Sequence, residues 1–261
     1  DPRWARKRIL PLFGWRRNKK QAVQAWHGFA FWGRWFDELL PDLLPLYEQC
    51  FVRLHSDLKD IRERIVGHIA SICLFSSRRQ VRGRWLHRFL QSVTVSERKE
   101  FAESIRKHLW DLDADRAAKA WHEWLDPYWA DRLMGKPVPL EKEEASKMAA
   151  WTPHVGSAFP EIVQRIADTH LEIKVDDFIY HMLKTKGIPA TYPNATTQLL
   201  LILVKSSYTT MADYGELPNI IQELAKDNST HTILRDVLDH MASKGSQKVT
   251  ALRSLIAIPQ T

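Results

Sequence analysis

The feature that most constrains the fold is a run of aromatic and apolar side chains between residues 120 and 135. They recur at intervals of three and four residues, which places them on one face of a helix. The members of this aromatic stripe are Trp121, Trp124, Leu125, Tyr128, Trp129 and Leu133. A helix with such a face buries it against other helices, so the stripe predicts a helical core.

Pro127 interrupts the stripe, because proline lacks an N–H and clashes with the preceding turn of a helix. A second helix that begins there, with Asp126 as its N-cap, would accommodate the proline. Gly135 is expected to end that helix, and the next one is expected over 141–151.

Arg132 falls on the same stripe, which leaves two interpretations of this region. The side chains pack into a core, in which case Trp151 is an inner-face residue, or some of them contact a partner. The candidate partner-contact residues are Trp129, Arg132, Glu144 and Trp151, together with Arg84 and Arg88 from a basic cluster.

The rest of the chain also shows helical periodicity, without strand alternation of useful length. We therefore predict an all-α fold: a multi-helix array of antiparallel helix pairs, solenoid-like in the C-terminal half. All 11 tryptophans lie at or before Trp151, which suggests a boundary near residues 152–156. The predicted regions are a Trp-rich basic one, 1–151, and a helical-repeat-like one, 152–261, or one continuous array of both.

Several helix ends are marked by their local sequence. Thr94 and Glu97 match a capping box, and Asp113 can cap the helix that leads into the aromatic stripe. Gly187 and Gly245 each follow a lysine and are expected to be left-handed residues at helix C-termini.

The net charge of +7 is concentrated at the beginning of the chain, where residues 1–20 hold eight Lys and Arg against one Asp. Such an end can meet nucleic acid or an acidic neighbouring domain, or be a solvated face. Cys50 and Cys73 look like small buried hydrophobic residues of a reducing cytosol. The longest apolar run, 199–204, is too short to cross a bilayer, so we expect a cytoplasmic protein that does not contact membranes. A chain that starts at Asp1, without a signal peptide, is expected to be a fragment of something longer.

Arginine and histidine separated by four to six residues are the signature of a family of helical ribonucleases. Arg82 and His87 give the best match, and three further pairs match as well. A separation of five places the two residues about 140° apart on a regular helix, so they need not converge. The favoured interpretation is structural, with Arg82 tying two helices together.

Arg84 and Arg88 belong to a cluster of five arginines in 78–88 that surrounds Trp85. The cluster could hold phosphate, although Trp85 lies on the apolar face and is expected to be core. Nucleic acid is therefore a less favoured partner. No paired metal-ligand spacing and no glycine-rich phosphate loop occurs in the sequence, so neither a metal nor a cofactor is predicted.

A longer pattern resembles a known group of proteins. The main part of the pattern is Trp124-Leu125, Tyr128-Trp129, Arg132, Gly135-x-Pro137, Leu140, Glu144, Met148, Trp151 and Phe159-Pro160-Glu161. The pattern continues toward the C-terminus with Gln198-Leu199-Leu200, Tyr214-Gly215, Leu234-Arg235 and Gly245. A weaker match occurs earlier, in Leu10-Pro11-Leu12-Phe13-x-Trp15 and Ala25-Trp26-x-Gly28-Phe29. This is similar to an uncharacterised all-helical region of bacterial anti-phage defence proteins, which commonly lies C-terminal to a sirtuin-like NAD-consuming domain. The likeness covers most of the chain and includes no recognised catalytic residue.

The resemblance implies a non-catalytic scaffold or sensor module that regulates an upstream sirtuin-like effector through protein–protein contacts. The parent protein would then be an NAD hydrolase, and this chain alone would not be an enzyme. The expected partner is the effector domain in cis, with a phage protein or a second copy as further candidates. The alternative is a helical ribonuclease or a nucleic-acid-binding domain that uses the Arg82–His87 pair and the basic clusters.

Overall fold

The computed structural model describes residues 1–174, 177–207 and 215–256. Helices make up 74% of these described residues, which contain no strand, so the predicted all-α class is confirmed. Within the same ranges, no helix is both long enough and apolar enough to cross a membrane.

Contacts between residues divide the chain into two units. The first unit comprises residues 1–108 and 134–139, and the second comprises 109–133 and the described part of 140–261. The composition change predicted at 152–156 lies inside the second unit.

The first unit contains short 3₁₀ turns and six helices, of which the last continues to residue 110. These are α1 (Pro2–Arg8), α2 (Lys19–Trp32), α3 (Leu40–Phe51), α4 (Arg62–Phe75), α5 (Arg84–Ser92) and α6 (Val95–Trp110).

The core of the first unit is built around Trp26 on α2, which is fully buried. Its ring meets Phe13 at 4.9 Å and Tyr47 of α3 at 5.0 Å between centroids, both edge to face. Tyr47 in turn lies 6.0 Å from the ring of Trp85 on α5. Edge-to-face aromatic contacts of this kind fix the helices relative to one another.

The described helices of the second unit follow in order along the chain. They are α7 (Ala114–Ala120), α8 (Asp126–Leu133), α9 (Lys142–Ala149), α10 (Phe159–Ala167), α11 (Phe178–Thr185), α12 (Ile188–Thr191), α13 (Pro193–Ser207), α14 (Leu217–Leu224), α15 (His231–Ser243) and α16 (Val249–Arg253).

The aromatic stripe lies on one nearly continuous helix, because α7 and α8 are joined by a π-helical turn, Trp121–Leu125. The expected N-cap role of Asp126 is therefore wrong: α8 begins at Asp126, but this residue has helical φ and ψ, and its side chain pairs with Arg165 at 2.7 Å. A π turn moves the backbone bond from the fourth to the fifth preceding residue and widens the helix. The wider turn relieves the clash that Pro127 would otherwise cause.

Local signals at the other helix ends are confirmed. The carboxylate of Glu97 accepts hydrogen bonds from the backbone N–H and the hydroxyl of Thr94, and the carboxylate of Asp113 accepts from the Arg116 N–H at 2.8 Å. Gly187 and Gly245 have φ values of 64° and 86°, the left-handed conformation that favours glycine at a helix end.

In the second unit, α13 packs against both α10 and α15, while α14 contacts α12 and α16. Helices separated by one or two others along the chain thus lie side by side, which is compatible with stacked pairs. The solenoid arrangement itself stays a prediction.

Candidate functional site

A cavity of about 500 Å³ opens between three elements of the first unit. Its volume is within the range typical of small-ligand sites. We call it the basic cavity. It is lined from the end of α2 and the segment after it, from α4 and from α6, by Ala30, Gly33, Arg34, Trp35, Arg64, Gly67, His68, Ser71, Ser104, Lys107 and His108.

The α4 and α6 walls follow from helical spacing. On α4, Arg64, His68 and Ser71 are separated by four and then three residues, which puts them on one face. Lys107 and His108 recur in the same way, three and four residues after Ser104 on α6. Two helices therefore each turn a polar face toward the same space.

The wall after α2 depends on a glycine and on a fixed tryptophan. A Cβ atom at Gly33 would overlap the ring of Phe29. The backbone after α2 can therefore pass this close to the Phe29 ring only because residue 33 is glycine. The indole N–H of Trp35 donates to the hydroxyl of Ser71 at 3.1 Å. That bond holds the half-buried Trp35 ring against α4.

The charges that line the basic cavity are positive. Arg34, Arg64 and Lys107 contribute three permanent cations, and no carboxylate belongs to the described lining. The guanidinium of Arg64 lies over the ring of Phe31, 4.0 Å from its centroid. Glu100 lies close by, where it pairs with Lys107 at 3.7 Å and accepts from the Ser104 hydroxyl at 3.3 Å. One carboxylate against three cations leaves a positive potential in the cavity.

His68 is the buried titratable group of the site. Its Nδ1 lies 3.1 Å from the hydroxyl of Tyr47, and its ring meets that of Phe29 at 5.3 Å. Burial, together with the smaller effect of the charges of Arg64 and His108, lowers the pKa of His68 to about 4. The imidazole is therefore neutral at pH 7.

Exposed aromatic side chains lie at the same end of α2. Phe31, Trp32 and Phe36 are 47%, 87% and 57% exposed, respectively. We call these three the exposed aromatic cluster. Large apolar side chains in water next to arginines are typical of surfaces that bind other proteins.

Four of the predicted partner-contact residues are instead interior residues of the second unit. Trp129, Arg132, Glu144 and Trp151 are all buried, and the rings of Trp129 and Trp151 meet edge to face at 5.8 Å. Arg132 binds Glu144 through two hydrogen bonds, of 3.1 and 2.6 Å. Tyr128 also donates to Glu144, at 3.4 Å. Side chains without access to solvent cannot contact a partner in this conformation, so their role here is structural.

The remaining candidates come from the α4–α5 region. Arg82 donates to the carbonyl oxygens of Cys73, Leu74 and Ser76, at 2.7, 3.3 and 3.2 Å, and so satisfies the C-terminus of α4. This is the helix-tying role that the sequence favoured for it. The side chain of His87, on α5, is half-buried and does not line the basic cavity.

The two basic-cluster candidates are exposed. Arg84 lies in solvent at the start of α5, and Arg88 pairs with Glu48 at 2.7 Å. Trp85 between them is 5% exposed, as expected for a core residue, and donates to the Leu44 carbonyl at 3.2 Å. An aromatic platform for a base is therefore not present at this cluster.

The cysteines do not form a reactive site. Cys50 and Cys73 are free and buried, and burial raises the pKa of each thiol. Within the described ranges, no group of three or more His, Cys, Asp or Glu side chains could hold a metal ion.

The basic cavity was missed from the sequence, although one signal for it is present. Arg64, His68 and Ser71 repeat along α4 at helical spacing, on a helix whose other side is apolar.

Compared with protein-family models, with curated proteins and with solved structures, the chain matches none of them.

Proposed function

We propose that this chain is a non-catalytic helical scaffold and sensor module of a bacterial anti-phage defence protein. It regulates an upstream sirtuin-like NAD-degrading effector domain through protein–protein contacts, in the cytoplasm. The sequence resemblance supports the identity of the effector. The observation that carries a binding role is the exposed aromatic cluster beside the arginines of the first unit.

The first unit is the part of the chain that docks to the effector in this proposal. Aromatic and arginine side chains contribute much of the binding energy of protein interfaces, because they bury large contact areas. Trp32 is 87% exposed and Phe36 is 57% exposed, so both have apolar surface to bury. In this proposal, Trp32 and Phe36 take the partner-contact role that the sequence predicted for Trp129 and Trp151, which are buried.

Regulation requires that the trigger bind one arrangement of the parent protein better than the other. The helices of 157–245 contribute to sensing or assembly in this proposal, with a phage protein or a second copy as the candidate trigger. Residues 1–151 then connect that event to the effector.

The test uses the full-length parent protein in cells. Trp32→Ala together with Phe36→Ala should change NAD consumption, either by releasing it before infection or by abolishing it during infection. Trp4→Ala together with Val52→Ala is the matched control, since these side chains are also exposed, at 57% and 70%. If both double variants follow the wild-type course of NAD before and after phage challenge, the docking proposal is wrong.

The alternative function, a helical ribonuclease or a nucleic-acid-binding domain, draws its support from the three cations of the basic cavity and the eight basic residues of 1–20. Purified chain incubated with single-stranded RNA distinguishes it. Cleavage that disappears in His87→Ala would favour the nuclease over the scaffold.

A further inference from the structure

We propose that the basic cavity binds a nucleoside phosphate, with its phosphate among the cations and its base on the ring of Trp35. The site lies wholly within the first unit. It shares Arg64 with the surface proposed above for the effector contact, but different variants test the two proposals, so each can fail without the other.

The charge of the lining favours an anion. Arg34, Arg64 and Lys107 line the cavity from three different elements, and their charges add in the space that they line. Glu100 offsets part of the charge of Lys107 but leaves the two arginines. Burial is the main cause of the lowered pKa of His68, and the positive charges of Arg64 and His108 add to it.

The donors fit phosphate. A guanidinium presents paired N–H groups that match two oxygens of a phosphate, and a lysine adds a point charge. The Ser71 hydroxyl accepts the bond from Trp35 and still has its own O–H to donate. These groups could bind several oxygens of one tetrahedral anion.

The tryptophan gives the site a second, different part. Any of the nucleobases can stack on the face of an aromatic ring. A ring that is already held in place loses less entropy when the base binds. The bond between Trp35 and Ser71 is such a restraint. The cavity of about 500 Å³ is large enough for a small molecule that carries both a phosphate and a base.

Gly67 offers a way to fill the cavity without harming the fold. A Cβ added there would meet the Ser104 hydroxyl at 3.7 Å, an ordinary van der Waals distance. Alanine also favours the helix over glycine, so Gly67→Ala should not lower Tm. It should still weaken binding, because the methyl group occupies space between α4 and α6.

The experiment is calorimetric titration of the purified chain with adenosine monophosphate, adenosine, inorganic phosphate and a short single-stranded oligonucleotide. We expect one molecule of adenosine monophosphate per chain, bound more tightly than adenosine or inorganic phosphate. Arg64→Gln with Lys107→Gln should weaken it by about tenfold or more, the loss expected for charged contacts to phosphate. The control, Lys59→Gln with Arg79→Gln, removes the same charge from exposed positions outside the cavity and should change the affinity less than about twofold.

Three results would overturn the assignment. The first is no binding of adenosine monophosphate, or binding that both double variants weaken equally. The second is equal affinity for inorganic phosphate and adenosine monophosphate, which would leave Trp35 without a role. The third is oligonucleotide binding that adenosine monophosphate does not compete with, which would indicate a nucleic-acid surface instead of a nucleotide site.

Discussion

The buried ion pair of the second unit and the basic cavity of the first unit place charged side chains in different surroundings. In the second unit, Arg132 and Glu144 are withdrawn from water and satisfy each other. In the first unit, Arg34, Arg64 and Lys107 line a cavity, and Glu100 pairs with Lys107 at 3.7 Å. A buried pair without access to solvent holds helices together, whereas a surplus of one charge around open space is suited to a ligand. The difference separates structural charge from binding charge within one chain.

The largest expected effect lies in the interior of the second unit. Trp151→Ala should lower the free energy of unfolding by about 4 kcal/mol, since it leaves a large hole beside Trp129. Urea unfolding of the variant measures it. A change within about 0.5 kcal/mol, as at surface sites, would mean that Trp151 is not core.

Breaking the buried ion pair comes next. Glu144→Gln should cost about 3 kcal/mol, because the charge of Arg132 stays buried without its counter-charge. Glu143→Gln, on the exposed side of the same helix, is the control and should be nearly neutral. Equal unfolding midpoints for the two variants would show that the pair does not stabilise the second unit.

In the first unit, His68 makes stability depend on pH. Its pKa is about 4 when folded and 6.5 in the unfolded chain, so the unfolded state binds more protons between these values. The contribution of His68 to the free energy of unfolding is complete above pH 6.5 and is lost as the pH falls toward 4. Between pH 7.5 and 5 the loss amounts to about 2 kcal/mol. His68→Gln should lose less stability than wild type over that interval, measured by urea unfolding at both values. Parallel pH profiles would contradict the assignment.

The smallest effect is expected at the cations of the basic cavity. Arg34→Gln, Arg64→Gln and Lys107→Gln combined should change the free energy of unfolding by no more than about 0.5 kcal/mol, because partly exposed contacts contribute little and repulsion is relieved. Thermal and urea unfolding of the triple variant provide the measurement. A loss as large as that of Glu144→Gln would remove the contrast between the two units.

Periodicity and caps were enough to predict the fold class, because each depends on residues close together in sequence. Glu97 and Asp113 cap helices as their local patterns indicated. Arg132 was placed on the buried stripe, but its pairing with Glu144 depends on how two helices face each other, which spacing alone does not determine.

The basic cavity was beyond the same reasoning for a related reason. Arg64 and Lys107 are 43 positions apart, and Trp35 comes from a third segment, so their convergence depends on the tertiary packing. The polar repeat on α4 was visible, yet a polar helix face is usually solvated. A solvated polar face and a cavity wall differ only in the depth of the space next to them, which the sequence does not show.

The π turn of Trp121–Leu125 ties two features of this sequence together, the extra residue in the turn and the proline at 127. Such a turn corresponds to one residue inserted into a regular helix, with both flanks kept in place. Pro127 is tolerated where the turn is wide and would distort a regular helix. Deleting one residue of the turn should therefore damage the helix more with proline at 127 than with alanine there. For the same reason, a shortened relative without the extra residue should carry a residue other than proline at the equivalent of Pro127, and the two changes should be strongly non-additive.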